Sequence, residues 1–432
     1  MPDAALIKKL EAAVEANWEK QVGWLQNLVR FPSVRGKEGP CQDWLAREMA
    51  ARGWSVDRYT LSEVQMDHLP GFSPVMDTDY QQAVQVVGTV RAPTSTDGGQ
   101  KGRSLIVQGH VDVVPPGPEE MWQFPPFDPV ISGEWMNGRG AHDMKQGVCA
   151  MFFAMDALRS LGLAPASDVY VQTVTEEECT GNGALSTLAR GYRADAALVP
   201  EPTGGTLTRG HVGVMWFRLR IRGVPVHVAV ADTGTNAIMS AYAVLNEVYL
   251  LTAEINAKAK DHPLFAGMNN PVKFNPGVIR GGDWGSSTPA WCEVDCRIGL
   301  LEGTPLAEAR QQVLDAVAKA AKGDSFLANN PPEILWNGFQ ADGFHLKPGS
   351  EAERVLGEVH QAVYGEKLVS HVSTGVADVR FYLNYYGIPA LCYGPKGEGA
   401  YAFDERAHLP SLKKNTLSIA SFIAEWCGVR GL

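Results

Sequence analysis

The sequence predicts an α/β protein with a mostly parallel sheet, into which a ferredoxin-like α+β domain is inserted. Its 432 residues are too many for one ordinary core. Over residues 1–210, short apolar runs alternate with helical stretches, as in βαβ units. From residue 211 polar and apolar positions alternate, which is typical of half-exposed antiparallel strands. The first pattern returns over residues 342–432, so residues 211–341 are predicted to be the insertion.

The first part begins with two predicted helices, at residues 3–30 and 39–53, joined by a turn at 31–34. Residues 104–109 are a short continuous apolar run of the kind found in buried parallel strands. The other predicted elements are strands at 54–61, 84–90, 169–174 and 194–199, helices at 143–161 and 183–190, and loops at 65–80 and 92–102.

The insertion has the predicted order β-α-β-β-α-β, which defines a ferredoxin-like module. Its strands are predicted at 214–224, 272–281 and 290–299, its helices at 236–255 and 305–322, and its end near Trp336. The last part contains predicted helices at 349–364, 376–386 and 411–427, a strand and turn at 368–375, and a strand at 388–394.

The composition limits the function classes. A formal net charge of −10 argues against nucleic acid as a partner. We find no apolar run of membrane-spanning length and no signal-peptide pattern, so we expect no membrane association. The seven cysteines are scattered and odd in number, which favours reduced thiols and a cytoplasmic location.

Four segments next to apolar, β-branched runs carry the candidate functional residues. They are residues 109–115 (GHVDVVP), 138–145 (GRGAHDMK), 176–183 (EEECTGNG) and 200–203 (PEPT). Their imidazole and carboxylate groups suit a divalent metal such as zinc or manganese. Ligands of open parallel sheets collect beyond the carboxyl ends of the strands. We therefore expect these segments to form one wall around a metal.

Each of these residues also has a structural interpretation. A histidine such as His110 often ends a buried strand without binding metal, and an aspartate such as Asp143 often caps a helix. Residues 176–178 resemble a solvated charge run, but three glutamates beside buried strands repel one another unless a cation lies among them. Asp112 can accept a hydrogen bond from the second nitrogen of His110 and fix the tautomer that binds metal.

The motifs resemble those of the metal-dependent amidohydrolases that include acetylornithine deacetylase, succinyl-diaminopimelate desuccinylase, aminoacylase and glutamate carboxypeptidase. The resemblance covers nearly the whole chain, and the run Glu-Glu-Glu-Cys-Thr-Gly-Asn-Gly is close to the deacetylase and desuccinylase branch. It implies a lid and dimerisation domain at residues 211–341. The roles that it implies are metal binding by His110 and Glu201 at the first site, by Asp143 as a bridge and by Glu178 at the second site, general base catalysis by Glu177, and orientation of His110 by Asp112.

The resemblance also implies contacts from elsewhere in the chain. His227 matches the lid histidine that enters a neighbouring subunit's active site and stabilises an oxyanion there, although a structural role at a strand end stays open. Arg297 and Arg380 match positions that hold a substrate carboxylate, for which a bidentate guanidinium is well suited. The implied partners are a small carboxylate-bearing substrate and a second copy of the chain, in a homodimer or higher homo-oligomer.

The chain departs from the family pattern near its C-terminus. The family's last metal ligand is a histidine in an Ala-His-x-x-Asp-Glu motif, and Tyr401 stands at that position in the run Ala-Tyr-Ala-Phe-Asp-Glu. His408 lies seven residues further on and is an alternative ligand. The first metal site is intact, and the hypothesis is one bound metal ion, with Tyr401 left to contact the substrate.

Three functions follow as hypotheses. The first is hydrolysis of a C–N bond in an amide or N-acyl amino acid. The second is hydrolytic removal of an amino group from an electron-poor aromatic acid, resembling the nitroanthranilate deaminases of this family, with Tyr401, Trp284, Trp291 and Phe344 around the ring. The third is a metal-binding homologue without catalysis, which the presence of Glu177 disfavours.

Overall fold

The protein is described here from a computed structural model, in which residues 2–93 and 102–432 are described. The predicted loop at 92–102 lies largely outside the described residues. The helices are α1 (Ala4–Ala16), α2 (Trp18–Val29), α3 (Gly39–Ala51), α4 (Gln146–Ser160), α5 (Asn182–Ala189), α6 (Ala237–Ala259), α7 (Leu306–Lys322), α8 (Glu351–Tyr364) and α9 (Leu409–Cys427). The strands are β1 (Ser55–Thr60), β2 (Val84–Val90), β3 (Leu105–His110), β4 (Val130–Ser132), β5 (Trp135–Asn137), β6 (Leu163–Pro165), β7 (Val169–Val174), β8 (Ala196–Val199), β9 (Leu207–His211), β10 (Gly213–Arg222), β11 (Phe274–Gly281), β12 (Trp291–Leu300), β13 (Glu333–Ala341), β14 (Phe344–His345), β15 (Ser370–Ser373), β16 (Ala390–Cys392), β17 (Gly397–Glu398), β18 (Arg406–His408) and β19 (Val429–Gly431).

The main sheet has six strands in the order β1-β2-β7-β3-β8-β16. Strands β7, β3, β8 and β16 run parallel to one another. Strand β2 pairs antiparallel with β7 and with β1, which forms the edge of the sheet. Every residue of β3 and β8 is buried, as expected for strands covered on both faces. The predicted mostly parallel sheet is confirmed.

The chain leaves this part after β9 and returns to it at β14, and between them lies the antiparallel sheet β11-β12-β10-β13. Its order along the chain, β10-α6-β11-β12-α7-β13, is the predicted ferredoxin-like order. Along β10 the side chains of Phe217, Leu219 and Ile221 pack in a separate core with residues of α6 and α7. The alternate residues, Trp216 and Arg218, lie on the opposite face of the sheet, because side chains alternate along a strand.

Several predicted helices differ in detail. The helix predicted at 3–30 is two helices that meet at Asn17, whose side-chain amide donates a hydrogen bond to the carbonyl of Ala13. The helix predicted at 143–161 begins at Gln146, because Asp143 has extended backbone angles and precedes it. The helix predicted at 376–386 is one wide helical turn, Phe381–Tyr385.

Two structural findings concern the cysteines and the length of the helices. All seven cysteines are free thiols, in agreement with the predicted reduced state. Among the described helices, none is long and apolar enough to cross a membrane.

Candidate metal centre and active site

The candidate ligands come from the carboxyl ends of three neighbouring parallel strands. His110 is the last residue of β3, Glu177 and Glu178 follow β7, and Glu201 follows β8. Asp143 approaches from the turn before α4. Side chains that the sequence separates by up to 91 residues therefore meet at one sheet edge, as expected for an open parallel sheet.

His110 lies at the centre of this cluster and is 1% exposed. Its Nε2 lies 3.3 Å from Asp143 Oδ1, 3.8 Å from Glu177 Oε2 and 4.0 Å from Glu201 Oε2. Ligand atoms of His110, Asp143 and Glu178 all lie within 4.8 Å of one another. The Oε1 atom of Glu201 is buried without a hydrogen-bond partner in the described structure. One imidazole nitrogen among carboxylate oxygens, with an unsatisfied carboxylate oxygen beside them, is a donor set that fits zinc or manganese.

Asp112 connects His110 to the segment that carries Glu178. The Nδ1 of His110 lies 2.9 Å from the main-chain carbonyl of Asp112 and 3.6 Å from its carboxylate Oδ1. The other carboxylate oxygen of Asp112 accepts a hydrogen bond of 3.0 Å from the amide of Glu178. A proton on Nδ1 is thus held by the main-chain carbonyl of Asp112, while the carboxylate Oδ1 of Asp112 has no hydrogen-bond partner in the described structure. This leaves Nε2 directed at the other carboxylates.

Burial dominates the electrostatics of the cluster. It raises the pKa of Glu177 and Glu178 well above their usual range, and that of Glu201 to about 8. The neighbouring carboxylates add to these rises in pKa, because like charges oppose ionisation of one another. A bound divalent cation would reverse both effects and favour the charged carboxylates.

The glutamate run is divided. Glu176 has a φ of 70° and faces away from the cluster, where Arg35 Nε and Nη2 contact its two carboxylate oxygens at 2.5 and 2.9 Å. The hydroxyls of Tyr80 and Thr180 donate two further hydrogen bonds to the same carboxylate. The repulsion within the run is therefore relieved by an arginine at Glu176 and by the metal centre at Glu177 and Glu178. No local pattern marks Arg35 as this partner, because 141 residues separate the pair.

Glu405, for which we predicted no role from the sequence, supports the cluster from the C-terminal segment. Its Oε1 accepts hydrogen bonds from the backbone amides of His142 and Asp143 at 3.1 and 3.0 Å. Its other oxygen, Oε2, accepts a hydrogen bond of 2.5 Å from Arg139 Nη1, and both side chains are at most 2% exposed. Glu405 therefore fixes the backbone that presents Asp143.

Tyr401 lies at the centre as predicted, and its hydroxyl donates a hydrogen bond to Glu178 Oε2. Tyr401 is 59% exposed as a whole. Desolvation of its hydroxyl and the neighbouring carboxylates raise its pKa well above the usual value, so the phenol keeps its proton. His408 does not replace the missing histidine, since it lies in β18 with Nε2 3.6 Å from Glu134 and its ring 4.7 Å from that of Trp135.

A cavity of about 760 Å³ lies between these carboxylates and the face of the inserted sheet. Its aromatic lining residues are Trp216, Phe217, Phe339 and Tyr401, and Glu177 and Glu178 also line it. The predicted aromatic residues lie elsewhere. Trp284 is 75% exposed, Trp291 binds Asp283 through its indole nitrogen on the exposed surface, and Phe344 is buried against His211. Which face of each strand meets the site is a tertiary property, and this explains the difference.

Arg297 lines the same cavity and is half-buried. Within the described residues its guanidinium has no carboxylate partner. The nearest arginine on the neighbouring strand, Arg218, is held by both oxygens of Asp295 at 2.5 and 3.2 Å. Arg297 is thus a cation that faces the cavity with its hydrogen-bonding capacity unused.

The other two predicted residues lie away from the centre in the single chain. Arg380 is 0% exposed, donates a hydrogen bond of 3.0 Å to the carbonyl of Thr180 and stacks on Phe381. Arg380 is not among the residues that line either cavity at the carboxylates, and its Nε and Nη1 have no hydrogen-bond partner in the described structure. Its contact with a substrate carboxylate stays a prediction. His227 is exposed, and its Nδ1 accepts a hydrogen bond from the amide of Ala229.

Comparison with known proteins agrees with this geometry. The sequence model of peptidase family M20/M25/M40 matches residues 106–425, most of the chain. The chain belongs to this family. It is accordingly a metal-dependent hydrolase that acts on carbon–nitrogen bonds, and the predicted resemblance is confirmed.

Two curated relatives illustrate the similarity. An N-formyl-4-amino-5-aminomethyl-2-methylpyrimidine deformylase of Halalkalibacterium halodurans is 27% identical to this chain, and the match covers 99% of each protein. A succinyl-diaminopimelate desuccinylase of Bradyrhizobium diazoefficiens is 25% identical, over 93% and 98% of the two chains.

Solved structures show the same fold. The dipeptidase Dug1p of Saccharomyces cerevisiae has a TM-score of 0.78 at 14% identity and covers 98% of each chain. The Bacillus subtilis YXEP protein, described as a dinuclear metal-binding peptidase, has a TM-score of 0.58 at 14% identity and covers 96% of this chain and 99% of that one.

We predict that Arg35→Met destabilises the metal-free protein by about 3 kcal/mol, because it leaves the buried Glu176 carboxylate without its cation. The matched control is Arg58→Met, which removes a pair with Asp43 in which both side chains are more than 40% exposed, and we expect a loss below about 1 kcal/mol. Denaturant unfolding of the two variants measures the difference. Equal effects would show that the Arg35–Glu176 pair does not stabilise the fold.

Proposed function

We propose that this hydrolase cleaves the C–N bond of a small amide of which one half carries a carboxylate, with N-acyl amino acids as the model substrates. The observation that carries this proposal is Arg297, a cation without a carboxylate partner among the described residues, in the cavity that Glu177 and Glu178 also line. A guanidinium in such a place binds a carboxylate in bidentate geometry. The names of the relatives support amide hydrolysis, since they are a deformylase and a desuccinylase.

The metal ligands in this proposal are His110, Asp143 and Glu201, with Glu178 as a further carboxylate. When bound, the divalent cation supplies Lewis acidity to the scissile carbonyl and lowers the pKa of a water molecule. Asp112 acts as a positioning residue, because it holds the proton of His110 Nδ1 and the amide of Glu178.

Glu177 is proposed as the general base. Its carboxylate lies 3.8 Å from His110 Nε2 and lines the large cavity, so it reaches both the ligand cluster and the substrate space. It accepts a proton from the attacking water and delivers it to the leaving nitrogen. Burial raises its pKa, which favours a carboxyl group that can hold this proton between the two transfers.

The number of metal ions is proposed to be one. The position of the second-site histidine is occupied by Tyr401, whose phenol is a hydrogen-bond donor to Glu178. A protonated phenol is a poor ligand for zinc or manganese, and a donor to Glu178 competes with a cation for the same oxygen. Tyr401 also lines the cavity, where its hydroxyl is available to a substrate.

A second candidate function is hydrolytic deamination of an electron-poor aromatic acid. It is favoured by Trp216 and Phe339, whose rings meet edge to face at 5.4 Å in the lining of the larger cavity. These two rings suit a planar aromatic substrate with its carboxylate on Arg297. Ammonia release from aminonitrobenzoates, without turnover of any N-acyl amino acid, would favour this second function over the first.

We further propose that two copies of the chain complete each active site. His227 is exposed on the inserted domain, beside the exposed apolar residues Val224, Val228 and Val230. An exposed apolar patch of this kind marks an interaction surface. In this proposal His227 of one copy enters the site of the other and stabilises the developing oxyanion.

We predict that Arg297→Met raises KM for an N-acyl amino acid about 10- to 100-fold, because a charge-assisted contact with the substrate is lost, while kcat changes little. Steady-state kinetics on the acid and on its carboxamide analogue test this, since only the acid should be affected. Arg222→Met, on an exposed part of the same sheet, is the control. A similar rise in KM for the carboxamide would exclude binding of the substrate carboxylate by Arg297.

We predict about one metal equivalent per chain in protein purified without chelator, and about two in Tyr401→His, because an imidazole nitrogen joins the carboxylates of Asp143 and Glu178 at the second site. Tyr401→Phe is the matched control and should stay at about one. Elemental analysis by mass spectrometry measures all three. Two equivalents in the unaltered protein would refute the single-metal centre.

We predict that Glu177→Gln lowers kcat by about 10²- to 10⁴-fold with unchanged metal content, since it removes the base and keeps the ligands. Glu201→Gln should instead lower the metal content.

We expect His227→Ala to lower kcat as well. A mixture of the Glu177→Gln and His227→Ala proteins, denatured and refolded together, should regain activity, because some sites then combine the intact Glu177 of one copy with the intact His227 of the other. No gain on mixing, or a monomer by light scattering, would contradict the shared site.

A further inference from the structure

A second, smaller cavity of about 180 Å³ adjoins the same carboxylates. It shares five lining residues with the larger cavity, namely Asp143, Glu177, Gly375, Val376 and Tyr401, but its other walls come from the segments around β8, β9, β15 and β16 instead of the inserted sheet. The candidate base and metal ligands therefore lie between two spaces. We call the smaller one the inner chamber.

The inner chamber is polar but carries no cationic side chain among the described residues that line it. His211 is 0% exposed; its Nδ1 lies 2.9 Å from the carbonyl of Val212, and its Nε2 has no hydrogen-bond partner in the described structure. His371 pairs through Nδ1 with the hydroxyl of Thr206 at 2.7 Å. Burial lowers the pKa of both imidazoles, so they are neutral near pH 7.

The charges that do face the inner chamber are the carboxylates of Asp143, Glu177 and Glu201. Asp143 and Glu177 line the larger cavity as well, so the two spaces differ in their cations, and the inner chamber offers an anion no guanidinium or ammonium group. The larger cavity differs, because Arg297 lies in its wall. An anionic half of a substrate is therefore directed to the larger cavity.

The size of the inner chamber sets a second limit. A cavity of about 150 Å³ in another protein holds one benzene molecule. The inner chamber is only slightly larger, so it has room for a small group and not for a long acyl chain.

We propose that the inner chamber receives the acyl group of the substrate and restricts it to short, uncharged groups, formyl or acetyl, while the carboxylate-bearing amine half lies against Arg297. This inference rests on the proposed amide hydrolysis. In the reaction, a water oxygen bonds to the acyl carbon and the C–N bond breaks. The nitrogen leaves with the electron pair and receives the proton that Glu177 took from the water. The products are a short carboxylic acid and a free amino acid.

Binding of an acyl series tests this selection without turnover. Calorimetry with manganese-loaded Glu177→Gln protein would compare the N-formyl, N-acetyl, N-butyryl and N-succinyl derivatives of phenylalanine. We expect the formyl and acetyl compounds to bind at least about tenfold more tightly than the succinyl compound. Equal or tighter binding of the butyryl or succinyl compound would overturn the proposal.

Two further substitutions in the same background separate size from polarity. His371→Ala enlarges the inner chamber, so the ratio of butyryl to acetyl affinity should rise about tenfold. Thr208→Val keeps the side-chain volume and should leave that ratio unchanged. If His371→Ala does not fold, Ser373→Leu fills the inner chamber instead and should exclude acetyl before formyl. An unchanged ratio in a folded chamber variant would overturn the proposal.

Turnover by the unaltered protein, measured on the same compounds, distinguishes the two levels of inference. Tight binding of short acyl compounds without hydrolysis would refute the proposed reaction and leave the acyl selection supported. Hydrolysis with a preference for the succinyl compound would support the reaction and refute the selection. Failure to bind any member of the series would refute both.

Discussion

Burying several carboxylates beside one another costs free energy unless positive charge lies among them, and this constraint shapes the centre of the molecule. Asp143, Glu177, Glu178 and Glu201 surround His110 at the carboxyl edge of the main sheet. In this position burial raises the pKa of all three glutamates. A divalent cation resolves the conflict, because it binds the charged forms and needs oxygen and nitrogen donors in this kind of cluster. The ligand geometry and the electrostatic strain have the same solution.

Carboxylates next to this cluster have protein cations of their own. Glu176 is held by Arg35, and Glu405 is held by Arg139 while it fixes the backbone of Asp143. These pairs give the structural carboxylates a positive partner within the protein, so the partner does not have to be the metal. The sequence of three glutamates therefore contains one structural residue followed by two residues of the centre, and the division depends on which side of the chain an arginine reaches.

The parts of this arrangement that follow from local patterns could be predicted, and the parts that follow from packing could not. His110, Glu177, Glu178 and Glu201 each end a recognisable strand, so their meeting at one sheet edge follows from the parallel topology. Along β10 the alternation of Trp216 with Phe217 was visible in the sequence, but not which face would meet the site. Arg297 and Arg380 are alike as sequence signals, and only the fold distinguishes a guanidinium in a cavity wall from one that is fully buried.

The tyrosine at position 401 has consequences on both sides of the centre. Its phenol stands where the family resemblance implies an imidazole ligand, and it lines both cavities, so it affects the charge and the shape of the site together. In the proposed single-metal centre, one divalent ion among four carboxylates and a neutral His110 would leave a net negative charge. A substrate carboxylate would be repelled from such a centre and attracted to Arg297 in the wall of the larger cavity. The proposed scissile bond would then lie between the two, and the uncharged half of the substrate would be directed towards the side where the neutral imidazoles of His211 and His371 lie.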